Sequence, residues 1–338
     1  MQLQQRINAF IHLGWFLNEI ASEKSIGTEI FQNAQNHNRW FTTKNILFAL
    51  KNWGEALSEK NMTRWIKSYT FSEKPPKTIA VIMAGNIPLV GFHDFISVLI
   101  SGNKVLAKLS SNDKILLPFI ANKLIEIAPA FKDYVSFSEG KLENFDAVIA
   151  TGSNNTSLYF EHYFGKYPNI IRKNRNSVAV LSGKESLSQL EGLAHDLFQY
   201  FGLGCRNVSK LYLPKGYDFE PFFKAMYTQK EVIYHDKYMN NYDYNKAVYL
   251  MGGVPLLDNE FMLLKEDTGF SSPISVVFYE YYDEIASLKK GLFMNQDKIQ
   301  CIVSNSAMEQ EVPFGASQSP PLWEYADGVD TLSFLLNL

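Results

Sequence analysis

The sequence predicts a two-domain α/β protein preceded by a helical segment, and three observations carry that prediction. From residue 78 onward, short apolar runs alternate with amphipathic stretches, the strand–helix–strand repetition of a parallel sheet with helices on its faces. The chain of 338 residues is long enough for two domains and a large core. Residues 1 to about 70 have a different texture. Ile46, Phe48, Leu50, Trp53 and Leu57 recur at helical spacing, and Trp15, Trp40 and Trp65 also fall among Leu, Ile and Phe. These aromatics read as core.

Glu73-Lys-Pro-Pro-Lys77 ends the helical part, because paired prolines cannot continue a helix. Thr78–Ala84 reads as a buried strand, and Pro88–Ser101 as a helix with proline at its start. Lys104–Leu109 is strand-like. Ser110-Ser-Asn-Asp113 offers capping residues before a helix over Ile115–Ala128. Asp146–Thr151 and Ser177–Ser182 are further strands, the first followed by Gly-Ser-Asn-Asn and a helix. A second α/β unit then follows, with strands at Val208–Leu213, Val276–Tyr279 and Ile299–Ser304 and a helix at Phe219–Met226. Residues 228–268 have poor periodicity. No internal repeat and no low-complexity segment is visible.

Composition narrows the partners. Hydrophobic residues make up 46% and charged residues 20%, an ordinary balance for a soluble protein. The formal net charge of −3, with no basic stripe, argues against nucleic acid. Two cysteines, Cys205 and Cys301, give no disulfide framework and fit a reducing cytoplasm. The start, Met-Gln-Leu-Gln-Gln-Arg, followed by His12, Asn18 and Glu19, lacks the form of a signal peptide. No run approaches 18 uninterrupted apolar residues, so no membrane span is expected. The six histidines are scattered and have no Cys or carboxylate at ligand spacing, so no metal site is expected.

Cys205 is the most informative residue. It sits in Phe201-Gly-Leu-Gly-Cys-Arg-Asn-Val-Ser-Lys210, where two glycines let the backbone turn sharply and approach a ligand. A cysteine at a helix end with open N–H groups can act as a nucleophile whose oxyanion is caught by its own amide. A buried structural thiol is the alternative. His195, on the run leading into this turn, is too far along a helix to touch Cys205. The segment is not a dinucleotide fingerprint, since it lacks the third glycine and follows a helix-like run. A G-x-S-x-G elbow is absent as well.

Three strand ends add candidates. Ala84-Gly85-Asn86-Ile87-Pro88 follows the first strand, where Asn86 is either an oxyanion donor or a turn residue bonding its own backbone. Lys108 closes the next strand, placed for a ribose or phosphate or simply solvated. Thr151-Gly152-Ser153 follows a third and opens a helix, which makes it a phosphate cradle or an ordinary cap.

In order, these pieces resemble the aldehyde dehydrogenase superfamily, and within it the LuxC-like acyl-CoA reductases, from about residue 78 to the C-terminus. Ala-Gly-Asn86-Ile-Pro-Leu is similar to the family's Asn-containing motif, Leu-Ala-Lys108-Leu-Ser to its cofactor lysine segment, and Thr151-Gly152-Ser153 to the opening of its pyrophosphate-side helix. Gly-Leu-Gly-Cys205 resembles the nucleophile segment and Pro313-Phe314-Gly315 the late Pro-Phe-Gly motif. Two departures stand out. Ile171 lies 34 residues before Cys205, where hydrolytic members keep the glutamate that activates water. Glu266, in Glu266-Asp-Thr-Gly-Phe-Ser-Ser-Pro273, is the nearest match to the segment that holds the nicotinamide ribose, at altered spacing.

The resemblance implies an aldehyde-dehydrogenase-like fold of two Rossmann-like α/β domains. Residues 1–177 would form the helical N-terminus and cofactor domain, joined by 313–338, and residues 178–312 the catalytic domain. It implies NADPH-dependent reduction of an acyl-CoA, of fatty type, to an aldehyde through a cysteine acyl-enzyme. Cys205 would be the nucleophile and Asn86 an oxyanion donor. Lys108, Thr151, Gly152, Ser153, Glu266, Arg172 and Arg175 would bind the cofactor, and coenzyme A would leave as part of the substrate. NADPH is preferred to NADH because Lys108 and the Arg172–Arg175 segment would meet a 2′-phosphate, although a solvated basic loop explains those arginines too. A homodimer is the family's expected assembly. The alternatives are reduction of an acyl phosphate and a non-catalytic nucleotide-binding scaffold.

Overall fold

The protein, here a computed structural model, is described over residues 1–22, 27–306, 308 and 311–338. The chain divides into two units, Met1–Asn174 with Pro321–Leu338, and Arg175–Pro320. From the sequence alone these boundaries are expected at 177 and 313. Pro313-Phe314-Gly315 belongs instead to the second unit, where the Asp196 carboxylate accepts the Gly315 and Ser317 amides at 2.7 and 3.0 Å.

The first unit opens with helices α1 (Leu3–Ser22), α2 (Thr28–His37), α3 (Thr43–Ala56) and α4 (Glu59–Ile66). There follow β1 (Thr78–Ile82), α5 (Phe92–Ser101), β2 (Lys104–Lys108), α6 (Leu116–Ile127), β3 (Val135–Phe137), β4 (Ala147–Thr151), α7 (Asn154–Phe164) and β5 (Asn169–Arg172). The strands form a parallel sheet in the order β3-β2-β1-β4-β5. Such strands are covered on both faces, which explains their continuous apolar runs. Ile79, Val81 and Ile149 face one core, shared with Phe10 and Leu17 of α1, Ile46 and Leu50 of α3, Phe95 of α5 and Ile120 of α6. Alternate residues Ala80, Val148 and Ala150 face Phe160 and Phe164 of α7. The N-terminal helices are therefore a layer of this unit.

Residues 321–338 complete the same layer. Leu332 and Leu335 enter the core, Trp65 Nε1 donates to the Tyr325 hydroxyl at 2.6 Å, and His93 Nε2 lies 2.9 Å from the Leu322 carbonyl oxygen. The half-buried His93 imidazole has its pKa lowered by loss of hydration.

The second unit contains β6 (Asn176–Val180), α8 (Leu187–Phe198), β7 (Val208–Pro214), α9 (Phe219–Met226), α10 (Asp236–Met251), β8 (Leu257–Asp258), β9 (Leu263–Glu266), β10 (Val276–Tyr282), α11 (Ile285–Met294), β11 (Ile299–Val303) and β12 (Glu311–Val312). Its sheet runs β12-β11-β6-β7-β10-β9-β8, parallel except for β8 against β9. Helix α12 (Thr331–Leu336) then returns to the first unit.

Further expectations need correction. Trp15, read as core, is 61% exposed. The helix set at Pro88–Ser101 begins at Phe92, because Leu89 takes a left-handed φ of 59° and its amide is held by Asp113. Residues 228–268 hold a full helix, α10, that the pattern did not disclose. Tyr238 and Tyr242 are buried on it while Tyr244, Val248, Leu250 and Met251 are exposed, so apolar residues encircle it and no stripe appears.

Candidate active site

In the first unit, the register brings three strand ends level. Ile82 of β1 pairs with Lys108 of β2 and with Ala150 of β4, and Thr151 pairs with Arg172. The loops carrying Asn86, Lys108 and Thr151-Gly152-Ser153 therefore share one carboxyl edge. The strand order reverses there between β1 and β4, the position at which open α/β sheets bind ligands.

The Asn86 loop is fixed from below. A Cβ on Gly85 would stand 2.6 Å from the Ser110 side chain, so only glycine fits. The buried Asp113 carboxylate accepts the Leu89 amide at 3.0 Å and holds that residue left-handed. Burial pushes the Asp113 pKa up to about 6, against the opposing effect of the amide. Asn86 itself is exposed.

Lys108 Nζ donates to the Gly140 carbonyl at 2.9 Å. The Ser153 hydroxyl caps α7 by accepting the Thr156 amide at 3.2 Å. Gly152 has a packing reason of its own, since a Cβ there would come within 2.9 Å of Phe160 and 3.0 Å of Thr156.

Arg172 is misread by sequence as a phosphate ligand. Its side chain is 5% exposed, pairs with Asp94 of α5 at 2.5 Å and donates to Thr331 of α12 at 2.8 Å. A guanidinium committed to a buried carboxylate holds the fold together. Arg175 lies in the second unit, where it donates to the Gln296 carbonyl at 3.1 Å. Glu266 ends β9 and is exposed beside Tyr279 of β10. The next residue, Asp267, carries the turn, taking the Gly269 amide at 2.8 Å and pairing with Lys265, which lowers its pKa. The structure thus gathers Asn86, Lys108 and Thr151–Ser153 on one edge and leaves Cys205, Arg175 and Glu266 to the other unit.

Cys205 is half-buried in a turn between α8 and β7. The chain reaches it through three successive left-handed residues, Tyr200 (φ 55°), Phe201 (φ 59°) and Gly202 (φ 75°). Two bulky residues in that region are strained unless their surroundings hold them. Tyr200 is buried, and the Phe201 ring lies 4.4 Å from His235. The helix end nearest in sequence is the C-terminus of α8, whose open groups are carbonyls, so the N–H groups expected beside the thiol do not come from a helix.

Other groups supply the order. The Asn207 side chain, 2% exposed, accepts the Gly204 amide at 2.8 Å and donates to the carbonyls of Asp196 (3.0 Å) and Gln199 (2.9 Å). Its backbone amide donates to the Gly204 carbonyl at 3.0 Å. The buried Ser177 hydroxyl donates to the Cys205 carbonyl at 3.0 Å and lies 3.1 Å from Cys301 Sγ. Arg206 donates to the Ser317 carbonyl.

Sequence reasoning named none of Asn207, Ser177 or Asp196 for this role. A signal existed for Asp196, an acid among the apolar residues of α8. Burial raises its pKa, and the Gly315 and Ser317 amides oppose the rise. For Ser177, a small polar residue at a strand start, there was none.

Among the described residues, no group of three or more His, Cys, Asp or Glu side chains is placed to hold a metal, and no helix is long and apolar enough to cross a membrane. Comparison with known proteins decides the family. The profile described as "Acyl-CoA reductase (LuxC)" matches residues 18–222, more than half of the chain. The chain belongs to the acyl-CoA reductase (LuxC) family. A curated relative, the long-chain acyl-protein thioester reductase of Photorhabdus laumondii subsp. laumondii, is 22% identical over 277 residues. That alignment takes in 71% of this chain and only 56% of the relative, so the chain spans about half of its length.

Solved structures agree on the fold. Aldehyde dehydrogenase 21 of Physcomitrella patens, in complex with succinate, superposes with a TM-score of 0.69 at 13% identity, covering 100% of this chain and 84% of that one. The Mycobacterium tuberculosis aldehyde dehydrogenase complexed with NAD+ gives 0.63 at 13% identity, covering 92% and 75%. This LuxC-family chain has the aldehyde dehydrogenase fold, with Cys205 inside the matched region and Glu266 beyond it.

Proposed function

We propose that the chain reduces a fatty acyl thioester to an aldehyde through an acyl group carried on Cys205, with acyl-CoA as donor and NADPH as reductant. The observation that carries this reading is the Cys205 turn. A half-buried cysteine sits in a turn whose backbone is tied by hydrogen bonds at the Cys205 carbonyl and the Gly204 amide, within the segment matching the acyl-CoA reductase family.

A dinucleotide fits the first unit. The carboxyl edge at the β1/β4 reversal offers Lys108, Thr151 and the N-terminus of α7 capped by Ser153. These residues would hold it. When bound, the reduced cofactor supplies the hydride that takes the acyl carbon to the aldehyde level.

Cys205 does the rest. As thiolate, its Sγ bonds to the thioester carbonyl carbon, and the bond from that carbon to the sulfur of coenzyme A breaks. The departing thiolate leaves with the electron pair and takes up a proton. The family resemblance would assign stabilisation of the tetrahedral oxyanion on the way to the Cys205 amide and to Asn86. After reduction, the bond to Sγ breaks, its electron pair returns to sulfur and the aldehyde departs. Ile171, which the resemblance sets where hydrolytic relatives keep a carboxylate, offers water no base from that position.

The name of the Photorhabdus relative favours a second donor, an acyl group held as a thioester on a protein. The test is a panel of short- to long-chain acyl-CoAs, an acylated carrier protein and an acyl phosphate, each with NADPH or NADH, followed by loss of reduced-nicotinamide absorbance. Turnover of thioesters is expected. Absence of turnover with every donor overturns the proposal, and turnover of the phosphate alone moves it to another class.

A further inference from the structure

Cys205 occupies the second position of a tight turn, Gly204 to Asn207, closed by the Asn207 amide on the Gly204 carbonyl at 3.0 Å. That bond fixes the peptide group entering Cys205. The Asn207 side chain reaches back to the Gly204 amide at 2.8 Å and fixes the peptide group before it. The Ser177 hydroxyl, donated to the Cys205 carbonyl at 3.0 Å, fixes the peptide group that leaves. Three consecutive peptide planes are therefore tied, and the Cα–Cβ direction of Cys205 is set by the two that flank it. Asn207 and Ser177 are 2% and 0% exposed, so neither bond competes with bulk water.

The donor pattern is consistent at every atom. The Asn207 carbonyl oxygen takes an N–H and its NH₂ group serves carbonyls, which fixes the amide orientation. The Ser177 proton is committed to the Cys205 carbonyl, so its oxygen accepts from the Cys301 amide at 3.2 Å and from the Cys301 thiol at 3.1 Å. Asn207 also serves open carbonyls at the end of α8. Those carbonyls form the negative end of a helix dipole, and the amide answers part of that charge close to the thiol's own turn.

We propose that Ser177 is a positioning residue for the Cys205 nucleophile, acting through the Cys205 carbonyl in the turn that Asn207 closes. The inference rests on the proposed function only in taking Cys205 as the attacking group. The Ser177 side chain does not touch substrate; it sets the direction from which sulfur approaches the carbonyl carbon.

The experiment compares wild-type protein with Ser177→Ala, Ser177→Thr and Ser177→Cys. Circular dichroism checks the fold. Steady-state kinetics with the best thioester gives kcat and KM, and iodoacetamide labelling of Cys205 is read by peptide mass. Loss of one orienting hydrogen bond should lower kcat about ten-fold in Ser177→Ala while KM stays within about two-fold. Ser177→Thr, which keeps the hydroxyl, should recover most of it. Should the alanine variant not fold, Ser177→Cys places a weaker donor on a bulkier atom and, kept reduced because Cys301 Sγ lies beside it, should lie between wild type and loss. A folded alanine or cysteine variant at full kcat overturns the inference, as does a threonine variant no better than alanine. If wild type turns over no thioester, the proposed function fails. The inference then stands or falls on whether Ser177→Ala changes the rate of Cys205 alkylation.

Discussion

The Asp196 carboxylate accepts the backbone N–H of Gly315 at 2.7 Å. The bond fastens the last turn of α8, which leads into the Cys205 turn, to the Pro313-Phe314-Gly315 segment. The approach is close, since a Cβ on Gly192 would stand 2.9 Å from the Phe314 carbonyl carbon. Gly315 has a φ of 83°, where other residues are strained. In Asp196→Asn, one oxygen becomes an NH₂ group facing an N–H donor. The expected loss is about 1–3 kcal/mol of stability, read from the denaturant midpoint. An unchanged midpoint would show that the carboxylate is dispensable.

Asp113 makes stability depend on pH. Its pKa in the folded protein is about 6, raised from an ordinary 3.8 by burial. The folded state then binds the proton more tightly than the unfolded one. This contribution is complete below about pH 4 and is lost as pH rises through about 6, a change on the order of 3 kcal/mol. Asp113→Asn keeps an acceptor for Leu89 and removes the titration. The stability difference between variant and wild type should therefore grow in the variant's favour from pH 4 to pH 7.5. A difference that stays flat across that range contradicts the assignment.

Arg172 separates a structural cation from a cofactor ligand. Arg172→Ala leaves the buried Asp94 carboxylate without its guanidinium, and loss of one partner from such a pair costs about 3–5 kcal/mol. Arg172→Lys should retain the charge and part of the stability. If the lysine variant melts like wild type yet binds NADPH ten-fold more weakly, Arg172 belongs to the cofactor after all.

Cys205→Ala should abolish hydroxylamine-sensitive labelling by radioactive acyl-CoA. Cys301, 1% exposed, is not expected to substitute. Label retained in the variant would move the nucleophile elsewhere.

Asn86→Ala should lower kcat by roughly 10²–10³ if its amide meets the oxyanion. The loop is anchored at Gly85 and Leu89 rather than through that side chain, so the melting temperature should change little. An unaltered kcat would return Asn86 to the role of a turn residue.

Much of this architecture was legible because periodicity reports burial. Strands β1, β4 and β7 were visible as apolar runs since both faces of their sheets are covered. Helix α10 was not, because apolar residues lie on its exposed as well as its buried side. Motif order located Cys205 and the loops after β1, β2 and β4, whose backbones a ligand or a turn constrains. The partner of Arg172 was invisible. Asp94 lies 78 positions away in the chain, and no local pattern distinguishes a buried arginine from a solvated one. Asn207 and Ser177 escaped for the same reason, since their value lies in which carbonyl they meet.

The discontinuity of the first unit carries a consequence for biosynthesis. Tyr325, Leu332 and Leu335 belong to its core, and Thr331 to the network around Arg172, yet all are translated after the whole of Arg175–Pro320. On the ribosome, domains tend to mature in the order they emerge. Here the unit that is started first must wait, its α5 surface uncovered, until the second has passed through the exit tunnel. A stalled or prematurely released chain would therefore present chaperones with an apolar face on the half made earliest.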